Sequence, residues 1–267
     1  MHDPSGKVRM IELKTPGELD AMAAAGRVVA RTLAALRDHA RHGMRLRELN
    51  ELAAGLIREA GAKPTFLGYH PRFAPTPYPA VICASRNDAV VHGIPGRERL
   101  GLGDLLSIDL AVHLDGWCAD SAISFVVGGN GDAAKVDLAL IDATERALQA
   151  GIDAARPGRR LGDVGAAISA VARGAGFGML AGHGGHGIGR AMHEAPHVPN
   201  EGCPGHGLLL RPGLTFAIEP MLIAGGVDDY RHDPDGWTLR TADGSRAAHA
   251  EHTIGIAEDG PRVLTAP

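Results

Sequence analysis

Gly103-Asp-Leu-Leu-Ser-Ile-Asp109 is repeated 110 residues later as Gly213-Leu-Thr-Phe-Ala-Ile-Glu219. Each stretch begins at a glycine, continues through mostly apolar residues and ends on a carboxylate. Two further pairs occur in the same order along the chain: Arg41-His-Gly-Met-Arg-Leu-Arg-Glu-Leu49 with Arg156-Pro-Gly-Arg-Arg-Leu-Gly-Asp-Val164, and Ala119-Asp120 with Ala250-Glu251. Three matches in one order predict an internal duplication.

The hydrophobic spacing within each repeat predicts two helices followed by strands. Thr15-Pro16-Gly17-Glu18 has the residues of a helical capping box, and leucines recur on one face of the next predicted helix. Short apolar runs bounded by Gly, Asn and Asp indicate strands and hairpins. The predicted helices are about 15–36, 45–59, 132–154 and 161–173, and the predicted strand regions are about 80–127 and 205–265.

These elements predict one α/β (α+β) domain that spans residues 1–267 and consists of two similar halves. The halves, about residues 11–130 and 131–264, each combine a helix pair with antiparallel strands. We expect them to face each other across an approximate two-fold axis. Each half would then send two carboxylates to that axis, Asp109 and Asp120 from the first and Glu219 and Glu251 from the second.

These carboxylates and the imidazole of His186, in Gly185-His-Gly-Ile-Gly189, form a ligand set suited to metals. Carboxylate oxygens with one imidazole bind divalent cations, and two cations about 3.5–4 Å apart can ionise a shared water. Without metal, four gathered carboxylates would repel one another, and some would have to take up protons. The set therefore predicts a metal-dependent hydrolase.

The overall composition excludes several other classes of protein. A formal net charge of -4 argues against a nucleic-acid binder. The polar N-terminus has no apolar core of a signal peptide, and no apolar run approaches the roughly 18 residues that span a bilayer. Three cysteines without a C-x-x-C pair favour a reducing compartment. We expect a soluble, cytoplasmic protein.

The sequence resembles the methionine aminopeptidases, dinuclear enzymes of the pita-bread fold (the creatinase/aminopeptidase fold), from about Ile11 to Leu264. Each shared motif is weak alone, and together they are highly specific. They are Lys14-Thr-Pro-Gly-Glu18, Asn87-Asp-Ala-Val-Val-His-Gly-Ile-Pro95, Asp109 with Asp120, Gly185-His-Gly-Ile-Gly-Arg-Ala-Met-His-Glu194, Glu219-Pro-Met221, Asp235-Gly-Trp-Thr238 and Glu251-His-Thr253.

The resemblance implies two divalent metal ions, which could be Co, Mn, Fe, Ni or Zn. Asp109 would bind one ion, and Glu219 with His186 the other. Asp120 and Glu251 would bridge both. A bridging water would be the nucleophile that attacks the first peptide bond. The free amino group of the substrate would ligate a metal, so that only a chain end is cut.

The resemblance also implies roles for three residues around the reacting bond. Glu219 would be the general base that takes the water's proton and passes it to the leaving amine. His193 would hydrogen-bond the scissile carbonyl as negative charge develops on its oxygen. His92 would orient the substrate near the backbone of its second residue.

Tyr78, Cys83 and Trp237 match family positions around an apolar slot for the methionine side chain. Taken alone, Cys83 is as consistent with ordinary core packing, and Trp237 could simply anchor a turn. The sequence departs from the family at two places near this slot. Met192 stands where bacterial relatives usually carry Phe, and Pro71-Arg-Phe-Ala-Pro-Thr-Pro77 resembles an insertion.

Together these features predict removal of the initiator methionine from nascent chains whose second residue is small and uncharged. The 31 residues between Glu219 and Glu251 leave no room for the helical insertion of the second type, so type I is expected. The N-terminus of a nascent peptide would be the substrate, and the protein is expected to be a monomer that binds neither membranes nor a specific nucleic acid. Two clusters of arginines, 41–47 and 156–160, are best explained as solvated helix starts, and transient ribosome association is the alternative hypothesis.

Two other functions are compatible with the same ligands. One is an Xaa-Pro aminopeptidase or prolidase, a relative that carries a large N-terminal domain. The other is a non-catalytic pita-bread protein that binds peptides or partner proteins. Such proteins usually lose metal ligands, whereas all five are present here.

Overall fold

The computed structural model describes residues 11–129, 131 and 135–267. Residue 132, where the third helix was predicted to begin, lies outside the described residues. The other helix boundaries agree with the prediction to within about three residues. The described helices are α1 (Pro16–His39), α2 (Leu46–Glu59), α3 (Lys135–Ala154) and α4 (Leu161–Gly174).

The strands extend over more of the second half than the sequence predicted. Three strands of the second half lie before residue 205, where the predicted strand region begins. The stretch that contains them is rich in glycine, so its strand propensity is low. The described strands are β1 (Lys63–Pro64), β2 (Cys83–Arg86), β3 (Ala89–Val91), β4 (Leu105–Leu114), β5 (Trp117–Val126), β6 (Gly178–Met179), β7 (Gly184–Gly187), β8 (Glu194–Pro199), β9 (Thr215–Ile218), β10 (Met221–Ile223), β11 (Tyr230–His232), β12 (Leu239–Thr241), β13 (Ala247–His249), β14 (Glu251–Ala257) and β15 (Gly260–Val263).

One antiparallel sheet runs through both halves of the molecule. Its order is β1-β4-β5-β14-β9-β7-β8, with β2 also paired to β4 and β15 to β14. The central contact joins β5 of the first half to β14 of the second, where Ser121 is opposite His252. Glu251 comes 131 positions after Asp120, its counterpart in the first half, and His252 likewise comes 131 positions after Ser121. Ser121 and His252 are therefore counterparts that face each other, as expected if a two-fold axis passes between β5 and β14.

The helices also repeat in detail. At the start of α2 the backbone N–H of Arg45 donates to the Glu48 carboxylate at 2.6 Å, and at the start of α4 that of Arg160 donates to Asp163 at 2.8 Å. Such bonds satisfy a backbone donor ahead of the first helical turn. One apolar core packs α1 and α2 against β4 and β5, and another packs α3 and α4 against β9 and β14.

The two strand pairs differ in how they are connected. In the first half, only Asp115 and Gly116 separate β4 from β5, and both have positive φ (47° and 88°), as a tight hairpin turn requires. In the second half, residues 219–250 lie between β9 and β14 and contain β10 to β13. This long connection returns to the first half, because β12 pairs with β3.

The terminal segments each pack against the opposite half. The backbone N–H of Lys14 donates to the Gly213 carbonyl at 2.7 Å. Leu264 lies against α1, where a Cβ on Gly26 would come within 1.9 Å of the Leu264 carbonyl oxygen. Among the helices of the described residues, none is both long enough and apolar enough to span a bilayer.

Candidate metal centre

Strand pairing brings together four carboxylates that are far apart in sequence. Asp109 on β4 and Glu251 at the start of β14 are both in register with Ala122 of β5, one on each side. Asp120 lies two residues earlier on β5 and therefore projects from the same face of the sheet. Glu219 directly follows β9 and continues the register that places it beside Glu251.

The imidazole of His186 on β7 faces this carboxylate group. Its Nε2 lies 3.9 Å from Asp120 Oδ2 and 3.7 Å from Glu219 Oε1. One ligand atom each from Asp120, His186 and Glu251 lie within 4.8 Å of one another, a spacing that could hold a metal ion. All five residues predicted as ligands are thus close together in space.

Glycines on both sides of His186 allow β7 to pass very close to its neighbours. A Cβ on Gly185 would lie 2.0 Å from the Ala217 carbonyl oxygen, and one on Gly187 would lie 2.1 Å from that of Ala195. Larger residues would push β7 away from β8 and β9. The Gly-Gly-His-Gly sequence is therefore a packing requirement that places the imidazole over the carboxylates.

His249 on β13 also reaches the cluster and was not among the residues predicted from sequence. Its Nε2 lies 3.6 Å from Glu219 Oε2 and 3.9 Å from Glu251 Oε2. These three residues form a second group whose ligand atoms lie within 4.8 Å of one another. An imidazole two positions before a predicted ligand, in an extended segment, is the sequence signal that would have identified it.

Burial is the main reason why the carboxyl groups of the cluster resist ionisation. It raises the pKa of Asp109, Glu219 and Glu251 well above their ordinary values, and the negative charge of Asp120 raises all three further. Burial raises the pKa of Asp120 itself to about 7. Ionising these buried carboxyl groups therefore costs free energy, and a nearby cation would remove this cost.

The histidines show the opposite electrostatic response to burial. Burial lowers the pKa of His186 and His249 to about 3 and that of His92 to about 4. The limited hydration of the His193 ring lowers its pKa to about 4 as well. All four imidazoles are therefore neutral near pH 7, the form that can ligate a metal or donate a single N–H.

His193 and His92 lie beside the cluster and have different neighbours. The His193 ring is 4.1 Å from that of His186 and 5.2 Å from that of Tyr69, centroid to centroid. His92 follows β3 with a φ of 59°, an uncommon conformation for a residue other than glycine, and its ring is 6.3 Å from that of Trp237. Both histidines border the space next to the carboxylates.

Tyr78, Cys83 and Trp237 belong to one buried apolar cluster, together with Met192. The rings of Tyr78 and Trp237 are 5.1 Å apart and nearly perpendicular, and the Tyr78 hydroxyl is 2.9 Å from the Gly93 carbonyl oxygen. Cys83 is in register with Asp109, so the apolar cluster begins next to the carboxylates.

The 71–77 segment packs directly on Trp237. The indole Nε1–H donates to the Thr76 carbonyl at 3.0 Å, and the Phe73 ring is 6.0 Å away in an edge-to-face arrangement. Phe73 nevertheless remains 73% exposed. The segment therefore covers the outer side of the indole and places an exposed aromatic ring there.

A pita-bread sheet on which carboxylates and neutral imidazoles converge defines a metal-dependent hydrolase. The family model for metallopeptidase family M24 matches residues 20–258. The chain belongs to metallopeptidase family M24.

Individual relatives agree with this assignment over nearly the whole chain. The chain is 53% identical to methionine aminopeptidase 1 of Mycobacterium tuberculosis (strain CDC 1551 / Oshkosh) over 264 residues, covering 96% of each sequence. It superposes on a crystal structure of methionine aminopeptidase from Thermotoga maritima with a TM-score of 0.90 at 37% identity, covering 97% of this chain and 100% of that one. A prolidase from Pyrococcus furiosus has a TM-score of 0.75 at 20% identity, covering 96% of this chain and 65% of the prolidase, and so shares the fold.

Proposed function

We propose that this protein is a type I methionine aminopeptidase that removes the initiator methionine from nascent chains and peptides whose second residue is small and uncharged. The observation that carries the proposal is the position of the carboxylate cluster directly beside the apolar group of Tyr78, Cys83 and Trp237. The full-length likeness to proteins named methionine aminopeptidase supports the same substrate.

The residues of the cluster fit divalent metal ions. Among the described residues, Asp109 Oδ1, Asp120 Oδ1 and Glu251 Oε1 are buried and have no hydrogen-bond partner. Unsatisfied buried carboxylate oxygens are unfavourable unless a cation lies between them. Two ions would be held, one by Asp109 and the other by Glu219 with His186, with Asp120 and Glu251 shared.

The ions would supply Lewis-acid activation of water and of the scissile carbonyl. The mixed oxygen and nitrogen ligands accept Co, Mn, Fe, Ni or Zn. The free amino group of a substrate would ligate one of the ions, which would limit cleavage to a chain end. The site would therefore act on the first peptide bond only.

We propose that Glu219 moves the proton of the reaction. Its carboxylate is 15% exposed, so it borders the open side of the cluster and can contact a water that attacks the carbonyl carbon. We assign to it the role of general base, which accepts the water's proton and gives it to the leaving amine.

The neutral His193 can donate one N–H to the carbonyl oxygen as charge develops on it. His92, fixed at the end of β3, would hydrogen-bond the backbone of the second residue. Their different neighbours, His186 for His193 and Trp237 for His92, support this division of roles. His193 would therefore affect kcat more than His92.

The apolar group would hold the methionine side chain. A thioether packs favourably against aromatic edges and sulfur, which Trp237, Tyr78 and Cys83 provide. Met192 closes the same cluster, and its Sδ accepts a hydrogen bond from the Thr65 hydroxyl at 3.0 Å. The methionine slot would thus be bounded by groups from both halves of the chain.

We further propose that the protein works in the cytoplasm as a monomer, forming one domain of two halves, with transient access to ribosomes. The arginine clusters at 41–47 and 156–160 support the last point, because they lie at the starts of α2 and α4 and are largely solvent-accessible. Ribosome co-sedimentation of a variant with these charges removed would test it. Light scattering during size-exclusion chromatography would test the monomer.

Release of free methionine from Met-Ala-Ser, beside an Ala-Pro peptide, tests the proposed activity. We expect cleavage of the methionine peptide alone, dependent on added Mn or Co and abolished by chelator. Cleavage of the proline peptide instead would assign the protein to the prolidases that share its fold. Cleavage of neither, with metal bound, would favour a peptide-binding protein.

A further inference from the structure

His249 presents a ring nitrogen to the carboxylate cluster with no other interaction to satisfy it. The side chain is 2% exposed, and Nε2 is buried without a hydrogen-bond partner among the described residues. Its nearest polar neighbours are the carboxylate oxygens of Glu219 and Glu251, at 3.6 and 3.9 Å. These separations are longer than a hydrogen bond and match ligands arranged around a common ion.

The backbone of His249 is held firmly in place. Its N–H donates to the Ser124 hydroxyl oxygen at 2.9 Å, and its carbonyl accepts from the same hydroxyl at 2.7 Å. On its other side His249 is in register with Met221 of β10. The imidazole is therefore fixed between two strands, in the way that metal ligands are preorganised by their supporting structure.

We propose that His249 is a sixth metal-ligating residue, which donates Nε2 to the same cation as Glu219 and Glu251. The inference rests on the proposed function in assuming that this cluster binds divalent cations. Because the proposed function places Glu219 and His186 on one ion, that ion would then have two imidazole ligands, His186 and His249; the ligand atoms of Glu219, His249 and Glu251 lie within 4.8 Å of one another.

A second imidazole changes which metals the site prefers. Neutral nitrogen ligands favour Fe, Co, Ni and Zn, whereas Mg, Ca and Mn favour oxygen. The site should therefore bind Co more tightly, relative to Mn, than it would with five ligands. Replacing His249 should reduce this selectivity.

Proton NMR of the full chain, stripped of metal and reloaded with Co(II), counts the bound imidazoles directly. We expect contact-shifted signals from two imidazoles in the unsubstituted protein and from one in His249→Gln. The control is His39→Gln, at the exposed end of α1, which should retain both. By calorimetry, Co affinity should fall by at least the ~10-fold caused by losing a ligand's outer partner, and Mn affinity by less.

One bound imidazole in the unsubstituted protein, with an unchanged spectrum in His249→Gln, would overturn the proposal. If the variant fails to fold, the number of bound imidazoles in the unsubstituted protein still tests the proposal. Two bound imidazoles in a protein that releases no methionine would support the sixth ligand and count against the proposed function alone.

Discussion

The two halves of the molecule contain the same carboxylate-bearing strand pair and connect it in different ways. β4 and β5 are joined by two residues, whereas residues 219–250 join β9 and β14. The short turn contributes no residue to the site, so this strand pair provides only the carboxylates on its strands. The long connection adds Trp237 and His249, both of which reach the site.

This difference suggests a division of roles. The shared strand pairs form the carboxylate cluster, in which each half contributes equally. We infer that discrimination between metals and between substrates depends on segments that only one half has, such as the long connection with Trp237 and His249. Four measurements can break or sharpen this comparison.

Asp120→Asn and Glu251→Gln change equivalent positions in the two halves. Each should lower kcat/KM by about 10²–10³-fold or more, as the loss of a main electrostatic stabiliser does. Each should also lower the bound metal, measured by elemental analysis. The control is Asp142→Asn, an exposed ion-pair partner of Arg146 on α3. Full activity in only one of the two variants would show that the halves do not share the ions equally.

The metal-free protein should lose stability as pH rises through the titration of Asp120. Its pKa is raised from 3.8 to about 7 in the folded state, so its contribution is complete below about pH 4 and is lost as pH rises toward 7. At about 1.4 kcal/mol per pKa unit, the loss amounts to several kcal/mol.

With chelator present, Asp120→Asn should therefore be more stable than the parent at pH 8 and equal to it near pH 4. The lowered pKa values of His186 and His249 act in the opposite direction below about pH 6.5, in both proteins, and so cancel in the comparison. The variant also lacks the Asp120 charge that raises the pKa of Asp109, Glu219 and Glu251, which adds to its advantage at high pH. Thermal unfolding across this pH range measures the difference. A difference that does not change with pH would contradict the assignment to Asp120.

Trp237→Ala tests the contribution of the long connection to the substrate slot. Removing this buried indole should raise KM for methionine peptides by about 10- to 100-fold, since a few kcal/mol of apolar contact is lost. Metal affinity should be unchanged. Phe125→Ala, on β5 of the first half, is an aromatic-to-alanine control that packs against a different apolar core and should leave KM unchanged. An equal increase of KM in both variants would contradict the proposed division of roles.

Gly116→Ala and Gly244→Ala compare single turn positions in the short and long connections. Both glycines have positive φ, 88° and 74°, so each substitution should cost about 1 kcal/mol in urea unfolding. A Cβ on Gly116 would meet only the flexible end of Arg190, at 3.0 Å, and one on Gly244 would meet nothing within 4 Å. Neither variant should change kcat. A fall in metal affinity for Gly116→Ala alone would show that the tight turn sets the geometry of the cluster.

The sequence predicted the elements that repeat, because repetition is visible without a structure. The pairs Asp109 with Glu219 and Asp120 with Glu251 were identified by their matching contexts, and the helix boundaries by capping residues and periodicity. His186 was identified by its glycine-rich motif and by the family resemblance. The structure brings all of these residues together.

Several features of the structure were not predicted. β6 and β7 were missed because their glycines are required by close backbone contacts, as at Gly185, which sequence propensity does not report. His249 was missed because nothing in the first half corresponds to it. The contact of the 71–77 segment with Trp237 joins residues about 160 positions apart, and such a contact has no local signature.

The packing of Leu264 on α1 sets an order for the synthesis of this protein. Gly26 leaves room for the backbone at Leu264, so one part of α1 is covered by a segment that is translated well after the first half. At about 5–20 residues per second, on the order of 10 s passes between completion of the first half and emergence of this segment. During that interval the chain already carries Asp109 and Asp120, and the part of α1 beside Gly26 remains open to chaperones and to proteases.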